Sequence, residues 1–321
     1  MNPTLRVMTI LLLAGMSVAH AQTSTSRATR IIVGFTAGGA TDTVARIVAQ
    51  QLTERLGRSV VVENRAGASG TIGAELVAKS PADGQTFFMA TQTSHAVTPY
   101  MMSKIPYDPV KDFAPVSLVA QNTLLVVVNP ALPVKTIQDL IALAKARPGE
   151  LNFATGGIGS SPHMGGELFK SAAKVDMMPI HYKGDAAAVI DVIGGQVPVM
   201  FINITGMLPH VKSGKLKGIA VTSPKRSTII PEYPTVAESG LPGYEVVTWF
   251  GLLAPAGTPA DIITKLHREI AQSLALPNVK EQINQLGLEI VGSTPEQFAA
   301  LLKSENARWG KMVKDLNLRT E

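Results

Sequence analysis

The sequence has 321 residues, 45% of them apolar, with 29 basic and 24 acidic side chains and a formal net charge of +5. No run of Lys or Arg gives the basic footprint of a nucleic-acid-binding protein. The chain contains no cysteine, which excludes disulfides, thiolate metal sites, a cysteine nucleophile and a lipid-anchored N-terminal cysteine.

The N-terminus predicts export. Arg6 is the only charged residue of the first 21, an apolar run around 10–14 follows it, and Ala19-His20-Ala21 has the small-x-small pattern of a signal-peptidase site. We predict a signal peptide at 1–21 and a periplasmic mature chain of 300 residues, whose 28 basic and 24 acidic residues give +4. The apolar run is shorter than the roughly 20 residues that span a membrane.

Short β-branched runs then alternate with helical periodicity, which predicts a parallel sheet covered by helices. The first set has strands at 30–35, 60–63 and 86–90, and helices at 41–56 and 70–79. The second set has strands at 124–129, 151–154, 177–181, 197–201 and 216–222, and helices at 137–145, 162–173 and 186–193. A Pro-rich stretch at 224–242 precedes a strand at 246–254 and helices at 260–276 and 295–316.

This order predicts an α/β protein of two domains with a ligand cleft between them. The tail after 223 would more easily extend the first sheet than form a third domain. We therefore predict a discontinuous domain 1 (22–121 and 223–321) and an inserted domain 2 (122–222), with two separate sheets. The chain would cross between the domains near 121 and 223, and two crossing segments form a hinge.

Two glycine-rich loops, at 34–42 and 154–163, each connect a strand to a helix. Glycine allows backbone N–H groups to approach a ligand, and the helix N-terminus adds unpaired donors, so such loops favour anions. Ligands of open α/β sheets bind beyond the carboxyl ends of the strands, where both loops lie. The alternative is that both are simple tight turns. Pro162 suits a first helical position, which predicts Ser161 as the N-cap.

The same strand ends supply the other candidate residues. The full set of candidate ligand-binding residues is Phe35, Thr36, Gly38, Gly39, Asp42, Ala68, Ser94, His95, Gly157, Gly159, Ser160, Ser161, His163, Tyr182, Lys183 and Asn203. For Asp42 we weigh three roles, namely orienting loop amides, capping the helix and binding a ligand amine, and favour capping. For Lys183 the alternative is a solvated lysine, and for His163 a structural histidine.

No cofactor, metal or nucleic-acid partner is predicted. Neither glycine loop has the spacing of a dinucleotide or P-loop motif, and the histidines lack metal-ligand spacing. Ser160 and Ser161 lie beside His163 along the chain, but a catalytic base must reach a serine hydroxyl from elsewhere in the fold. We therefore predict a binding protein rather than an enzyme.

Several loops together carry a resemblance to a known family. They are Ala37-Gly38-Gly39-Ala40-Thr41-Asp42, Glu63 to Ala68, Gly157-Ile158-Gly159-Ser160-Ser161-Pro162-His163, Tyr182-Lys183-Gly184, 234–240 and 254–259. The sequence resembles the periplasmic receptors of tripartite tricarboxylate transporters, also called Bug-type receptors. Two departures are Ala37 and His181, each at a position where the family usually has Pro.

The resemblance implies a type II periplasmic-binding fold that holds a carboxylate through loop amides, hydroxyls and bridging waters. It also implies a permease of two other chains as the partner, and we expect the receptor to be a monomer. Its ligand would be a small organic acid or an amino acid. The alternatives are a periplasmic ligand sensor that acts on a membrane kinase and, less favoured, a serine hydrolase.

Overall fold

The computed structural model describes residues 28–204 and 207–318, so the predicted signal peptide lies outside the described residues. The described chain is a mixed α/β protein. Its strands are β1 (Thr29–Val33), β2 (Val60–Asn64), β3 (Thr86–Thr91), β4 (Phe113–Val128), β5 (Asn152–Thr155), β6 (Met178–His181), β7 (Val199–Asn203), β8 (Lys217–Val221), β9 (Val247–Pro255) and β10 (Glu289–Ile290).

Helices cover this sheet and connect its strands. They are α1 (Ala40–Leu56), α2 (Thr71–Ala78), α3 (Thr98–Met101), α4 (Ile137–Ala146), α5 (Ser161–Ala173), α6 (Asp185–Ile193), α7 (Leu208–Lys212), α8 (Ala260–Leu274), α9 (Pro277–Gln285) and α10 (Pro295–Asp315). A 3₁₀ turn at Ala68–Gly70 precedes α2, and a π-helical turn at Thr93–Val97 leads into α3. Among the described residues, no helix is both long and apolar enough to cross a bilayer.

The strands form one hydrogen-bonded sheet in the order β2-β1-β3-β9-β4-β7-β5-β6, with β8 and β10 also pairing with β4. β1 is parallel to β2 and β3, and β5 is parallel to β6 and β7. Within each group the carboxyl ends therefore share an edge, from which the two glycine-rich loops emerge. β9 is antiparallel to both β3 and β4 and joins the groups.

The connection near 121 is a strand and not a loop, so the prediction of two separate sheets was wrong. β4 runs without interruption through that position. Its residues 113–123 pair with β9, whereas 124–128 pair with β7 and β8. The polar residues Gln121, Asn122 and Thr123 hid this strand from the hydrophobic pattern, but they continue the backbone ladder with β9. The division into domains at 121 and 223 stays a prediction.

Thr222 connects the second predicted crossing, near 223, to β4 by hydrogen bonds. Its hydroxyl lies 2.6 Å from the carbonyl oxygen of Val246, to which it donates, and accepts a hydrogen bond of 2.9 Å from Leu124 N–H. Thr222 is fully buried. The β8 end, the start of β9 and the middle of β4 are therefore held together at one point.

Most other predicted elements are present with ends shifted by two residues or fewer. The helices α3, α7 and α9 were not predicted, because each contains a proline that resembles a break. Pro99, Pro209 and Pro277 all lie in the first turn of their helices. Proline is tolerated there, since the first-turn N–H groups have no intrahelical acceptor.

A buried carboxylate anchors α10 beneath β9. Glu305 Oε2 accepts hydrogen bonds from the indole N–H groups of Trp309 at 2.8 Å and Trp249 at 3.3 Å, and Gln92 Nε2 lies 3.4 Å away. Arg308 forms an ion pair with the other carboxylate oxygen. A buried charge is stable when it is paired and hydrogen-bonded in this way. Trp249 belongs to β9, so this network fixes the strand that lies between the two parallel groups.

Candidate ligand cleft

A cleft of about 370 Å³ lies at the carboxyl ends of the two parallel groups of strands. Its volume is within the range of small-molecule sites. The lining residues come from both groups and from β9: Phe35, Ala40, Thr41, Ser69, Thr91, Thr93, Gly156, Gly157, Ile158, Gly159, Ser160, Ser161, Pro162, Asp185, Asn203, Thr248 and Phe250.

A second cavity, of about 430 Å³, lies at the opposite edge of the sheet between Leu56, Gly84 and Lys265. Gly84 precedes β3, so this cavity is at the amino ends of the parallel strands. Ligands of open α/β sheets bind at the carboxyl ends, where loops and helix N-termini present donors. We therefore assign the candidate site to the first cleft.

The loop before α5 forms one wall of the cleft. Gly157 and Gly159 have φ angles of 132° and 75°, which favour glycine because a Cβ is strained there. Ser160 is the N-cap, since its Oγ accepts a hydrogen bond from His163 N–H at 3.3 Å. The prediction that Ser161 is the N-cap was wrong. Pro162 is the second helical residue rather than the first, and the N–H it lacks is also unpaired at that position.

His163 supports this wall from behind. The Gly159 N–H donates to His163 Nδ1 at 3.0 Å, which requires an unprotonated Nδ1. The imidazole is 1% exposed, and burial lowers the pKa of His163 to about 4, with smaller contributions from His181 and Lys170. The His181 ring packs edge-on at 4.8 Å, and its Nδ1 lies 2.8 Å from Thr155 Oγ1. His163 therefore holds the loop and does not line the cleft.

Three neutral polar groups meet on the cleft floor. The Thr248 hydroxyl lies 2.9 Å from Ser161 Oγ and 3.4 Å from Asn203 Oδ1 and can donate to either. The three residues belong to β9, α5 and β7, so strands and a helix from distant parts of the chain place them together. Sequence reasoning missed Thr248, because it lies inside an apolar strand, away from the glycine-rich loops and strand ends that marked the other candidates.

The loop after β1 is fixed by Asp42. This carboxylate accepts hydrogen bonds from Gly38 N–H and Asn64 Nδ2, each at 2.9 Å, and pairs with Arg46 at 2.9 Å. Burial alone would raise the pKa of Asp42, but the bonds from Arg46, Gly38 and Asn64 lower it below its usual value. Of the roles weighed for Asp42, the structure shows the orientation of a loop amide. The favoured role as helix cap was wrong, because the N-cap is Gly39 and no side chain among the described residues caps it.

The family described as "Tripartite tricarboxylate transporter family receptor" matches residues 44–318. The chain belongs to this receptor family. Protein BugT of Bordetella pertussis is 40% identical to the receptor over 298 residues, covering 92% of this chain and 91% of BugT. The predicted Bug-type resemblance is therefore confirmed.

Two solved structures share the receptor fold. The R. palustris protein Rpa4515 with adipate is 38% identical, with a TM-score of 0.76 over 91% of this chain and 97% of that one. MatC from Rhodopseudomonas palustris with bound malate is 31% identical, with a TM-score of 0.73 over 90% of this chain and 99% of that one. The predicted α/β periplasmic-binding fold is confirmed.

The receptor brings some of the predicted site residues to the cleft and leaves others outside its lining. Those that line it are Phe35, Gly157, Gly159, Ser160, Ser161 and Asn203. Those outside the lining are Thr36, Gly38, Gly39, Asp42, Ala68, Ser94, His95, His163, Tyr182 and Lys183. Lys183 is exposed, and the Tyr182 hydroxyl donates to Asp191 at 2.7 Å.

His95 is packed in the receptor core and does not face the cleft. It is fully buried, and its ring contacts the aromatic rings of Phe88, Tyr107 and Phe113. Burial lowers the pKa of His95 to about 3. Ser94 is also fully buried, and its hydroxyl bonds with the backbone and side chain of Thr91. The strand-end position was correct for both residues, but the π-helical turn directs their side chains inward.

The lining is almost uncharged. The described residues of the lining supply seven hydroxyl side chains, the amide of Asn203 and one carboxylate, Asp185, and no basic side chain. Sequence reasoning did not select Asp185, because an acid in the first turn of a helix is expected from the helix dipole alone. No cluster of three or more metal-ligating side chains is present in the described parts of the chain.

Proposed function

We propose that the receptor captures a small carboxylate-bearing solute in this cleft, in the periplasm, and presents it to membrane permease subunits. The observation that carries the proposal is the cleft at the strand carboxyl ends, whose lining is rich in neutral hydrogen-bond donors from both groups of strands. The relatives solved with adipate and with malate support carboxylates as the ligand class. Export through a signal peptide at 1–21 is part of the same proposal.

Neutral donors are sufficient for such a ligand. A micromolar dissociation constant corresponds to about 8 kcal/mol. Hydrogen bonds to a charged group contribute roughly 1.5–3 kcal/mol each, so a few of them suffice without a salt bridge. The Thr248 hydroxyl donates a hydrogen bond of 2.9 Å to Ser161 Oγ. A carboxylate bound between the two residues would accept hydrogen bonds from both hydroxyls. Asn203 lies within reach of the same point.

The serine side chains favour binding over turnover. The Ser160 hydroxyl caps α5, and the Ser161 hydroxyl bonds with Thr248. The neighbouring imidazole of His163 accepts from a backbone N–H instead. Within the described residues, neither hydroxyl is hydrogen-bonded to an imidazole ring, which is the pairing that activates a serine nucleophile.

We also propose that the two groups of strands close on the ligand, with the predicted division at 121 and 223 as the hinge region. Gly159 supports this, because a Cβ placed on it would lie 2.6 Å from Met101 Sδ, so the α5 loop touches α3 across the cleft. Binding would shift the population toward such closed forms. Small-angle scattering of the free and bound monomer measures the resulting compaction.

Calorimetry with a panel of small carboxylates tests the function. We expect a carboxylate to bind, and Thr248→Val and Ser161→Ala each to weaken it about 10- to 100-fold, because each removes a hydrogen bond to a charged group. Thr264→Val is the matched control, since Thr264 is exposed on α8 and its hydroxyl bonds only to Ala260 O. NMR of the recovered ligand should show no product. Unchanged affinity in both cleft variants, or a product that depends on Ser160 or Ser161, would contradict the proposal.

A further inference from the structure

Asp185 is the only ionisable side chain among the described residues that line the cleft. It is the first residue of α6, directly after Gly184. Its carboxylate lies against the glycine-rich wall, because a Cβ placed on Gly156 would overlap Asp185 Oδ1. The lack of a side chain at Gly156 therefore leaves room for this carboxylate beside the loop that leads to Ser160 and Ser161.

Within the part of the chain that the structure describes, no group neutralises the Asp185 carboxylate. Across the described residues, no hydrogen bond or ion pair reaches its oxygens, whereas the buried carboxylate of Asp42 is paired with Arg46. Partial burial raises the pKa of Asp185, and this desolvation is the only cause of the shift. Lys183 is its nearest basic neighbour in the chain, but that side chain is exposed and outside the cleft lining. An acid held in a cleft without a partner carries a desolvation cost that a cationic ligand group would offset.

The position of Asp185 in its helix does not account for this arrangement. An acid in the first helical turn is stabilised by the helix dipole. Asp139, Asp261 and Glu296 occupy that turn in α4, α8 and α10, and all three are exposed to solvent. Asp42 occupies it in α1 and is buried, but it is paired with Arg46. The dipole therefore does not require a half-buried carboxylate that faces a ligand cleft.

We propose that Asp185 determines specificity by binding a protonated amine of the ligand, so that the receptor takes amino-substituted carboxylates. The neutral donors at Ser161, Thr248 and Asn203 would hold the carboxylate, and Asp185 would hold the ammonium group beside it. This inference rests on the proposed function and narrows its ligand class. It separates the receptor from its relatives solved with adipate and malate, neither of which carries an amine.

Pairs of ligands that differ only in the ammonium group test this inference. The probes are L-aspartate against succinate, L-glutamate against glutarate, and 4-aminobutyrate against butyrate, measured by calorimetry at neutral pH. For at least one pair we expect the wild-type receptor to bind the amino member about 10- to 100-fold more tightly, since a charge-assisted hydrogen bond contributes that much. Asp185→Asn should remove most of this preference, because the neutral amide cannot form a charge-assisted hydrogen bond with the ammonium group.

Asp176→Asn is the matched control, because it removes the same charge from an exposed surface site outside the cleft lining and should keep the wild-type preference. The preference is a ratio within one protein, so a loss of stability in Asp185→Asn does not alter the interpretation. Equal or tighter binding of the plain acids by the wild type, or the same ratio in Asp185→Asn, overturns the inference and leaves the proposed function standing. Failure of the six probes and of the wider carboxylate panel to bind overturns the inference together with the proposed function.

Discussion

Acidification should weaken the receptor through His163. In the unfolded chain this imidazole titrates near its ordinary pKa of 6.5, whereas burial lowers its pKa to about 4 in the folded protein. Between these values the unfolded state binds more protons, so the free energy of unfolding falls as the pH falls. One pKa unit corresponds to about 1.4 kcal/mol, so the difference amounts to roughly 3 kcal/mol between pH 6.5 and pH 4.

The same protonation would remove the acceptor of the Gly159 N–H, at Nδ1, and loosen the wall before α5. Urea unfolding at pH 7, 6, 5 and 4.5 measures the effect in the wild type and in His163→Asn, whose side-chain oxygen can replace the acceptor without titrating. His95 also has a lowered pKa, about 3, but it is present in both proteins and cancels in the comparison. An identical pH dependence of unfolding in the two proteins would refute this role of His163.

Two further changes have definite expected outcomes. Gly159→Ala should reduce both stability and carboxylate affinity, because its φ of 75° disfavours a Cβ and that Cβ would lie 2.6 Å from Met101 Sδ. Gly214→Ala is the control, because Gly214 has a similar φ of 72° but a Cβ there would have no atom within 4 Å. Equal losses of about 1 kcal/mol in the free energy of unfolding of both variants would argue against the contact with Met101. Glu305→Gln should cost several kcal/mol in urea unfolding, since it replaces a buried charge that accepts two indole N–H bonds. The exposed Glu281→Gln is its control, and a similar change in the two variants would show that the buried network does not contribute.

The local sequence pattern was sufficient to predict most helices and strands and the family. Strand and helix periodicity placed the sheet and its covering helices, and the glycine-rich loops lay at the carboxyl ends of the strands as expected. These features depend on residues close together in the chain, such as Gly57, which ends α1 in a left-handed conformation. Even at short range the prediction was off by one residue, because it assigned to Ser161 the capping role that Ser160 performs.

Contacts between distant residues could not be predicted in this way. Thr248 and Ser161 meet across 87 positions of the chain, and neither residue type indicates the other. The direction of a side chain after a strand also depends on the backbone that follows, which is why His95 enters the core while Asp185 lines the cleft. The sequence by itself determined the elements, the loops and the family, because these follow from short-range backbone preferences and ordered motifs. The tertiary structure alone decided the continuous β4, the cleft floor and the unpaired carboxylate, because packing between distant segments sets which side chains share a cavity.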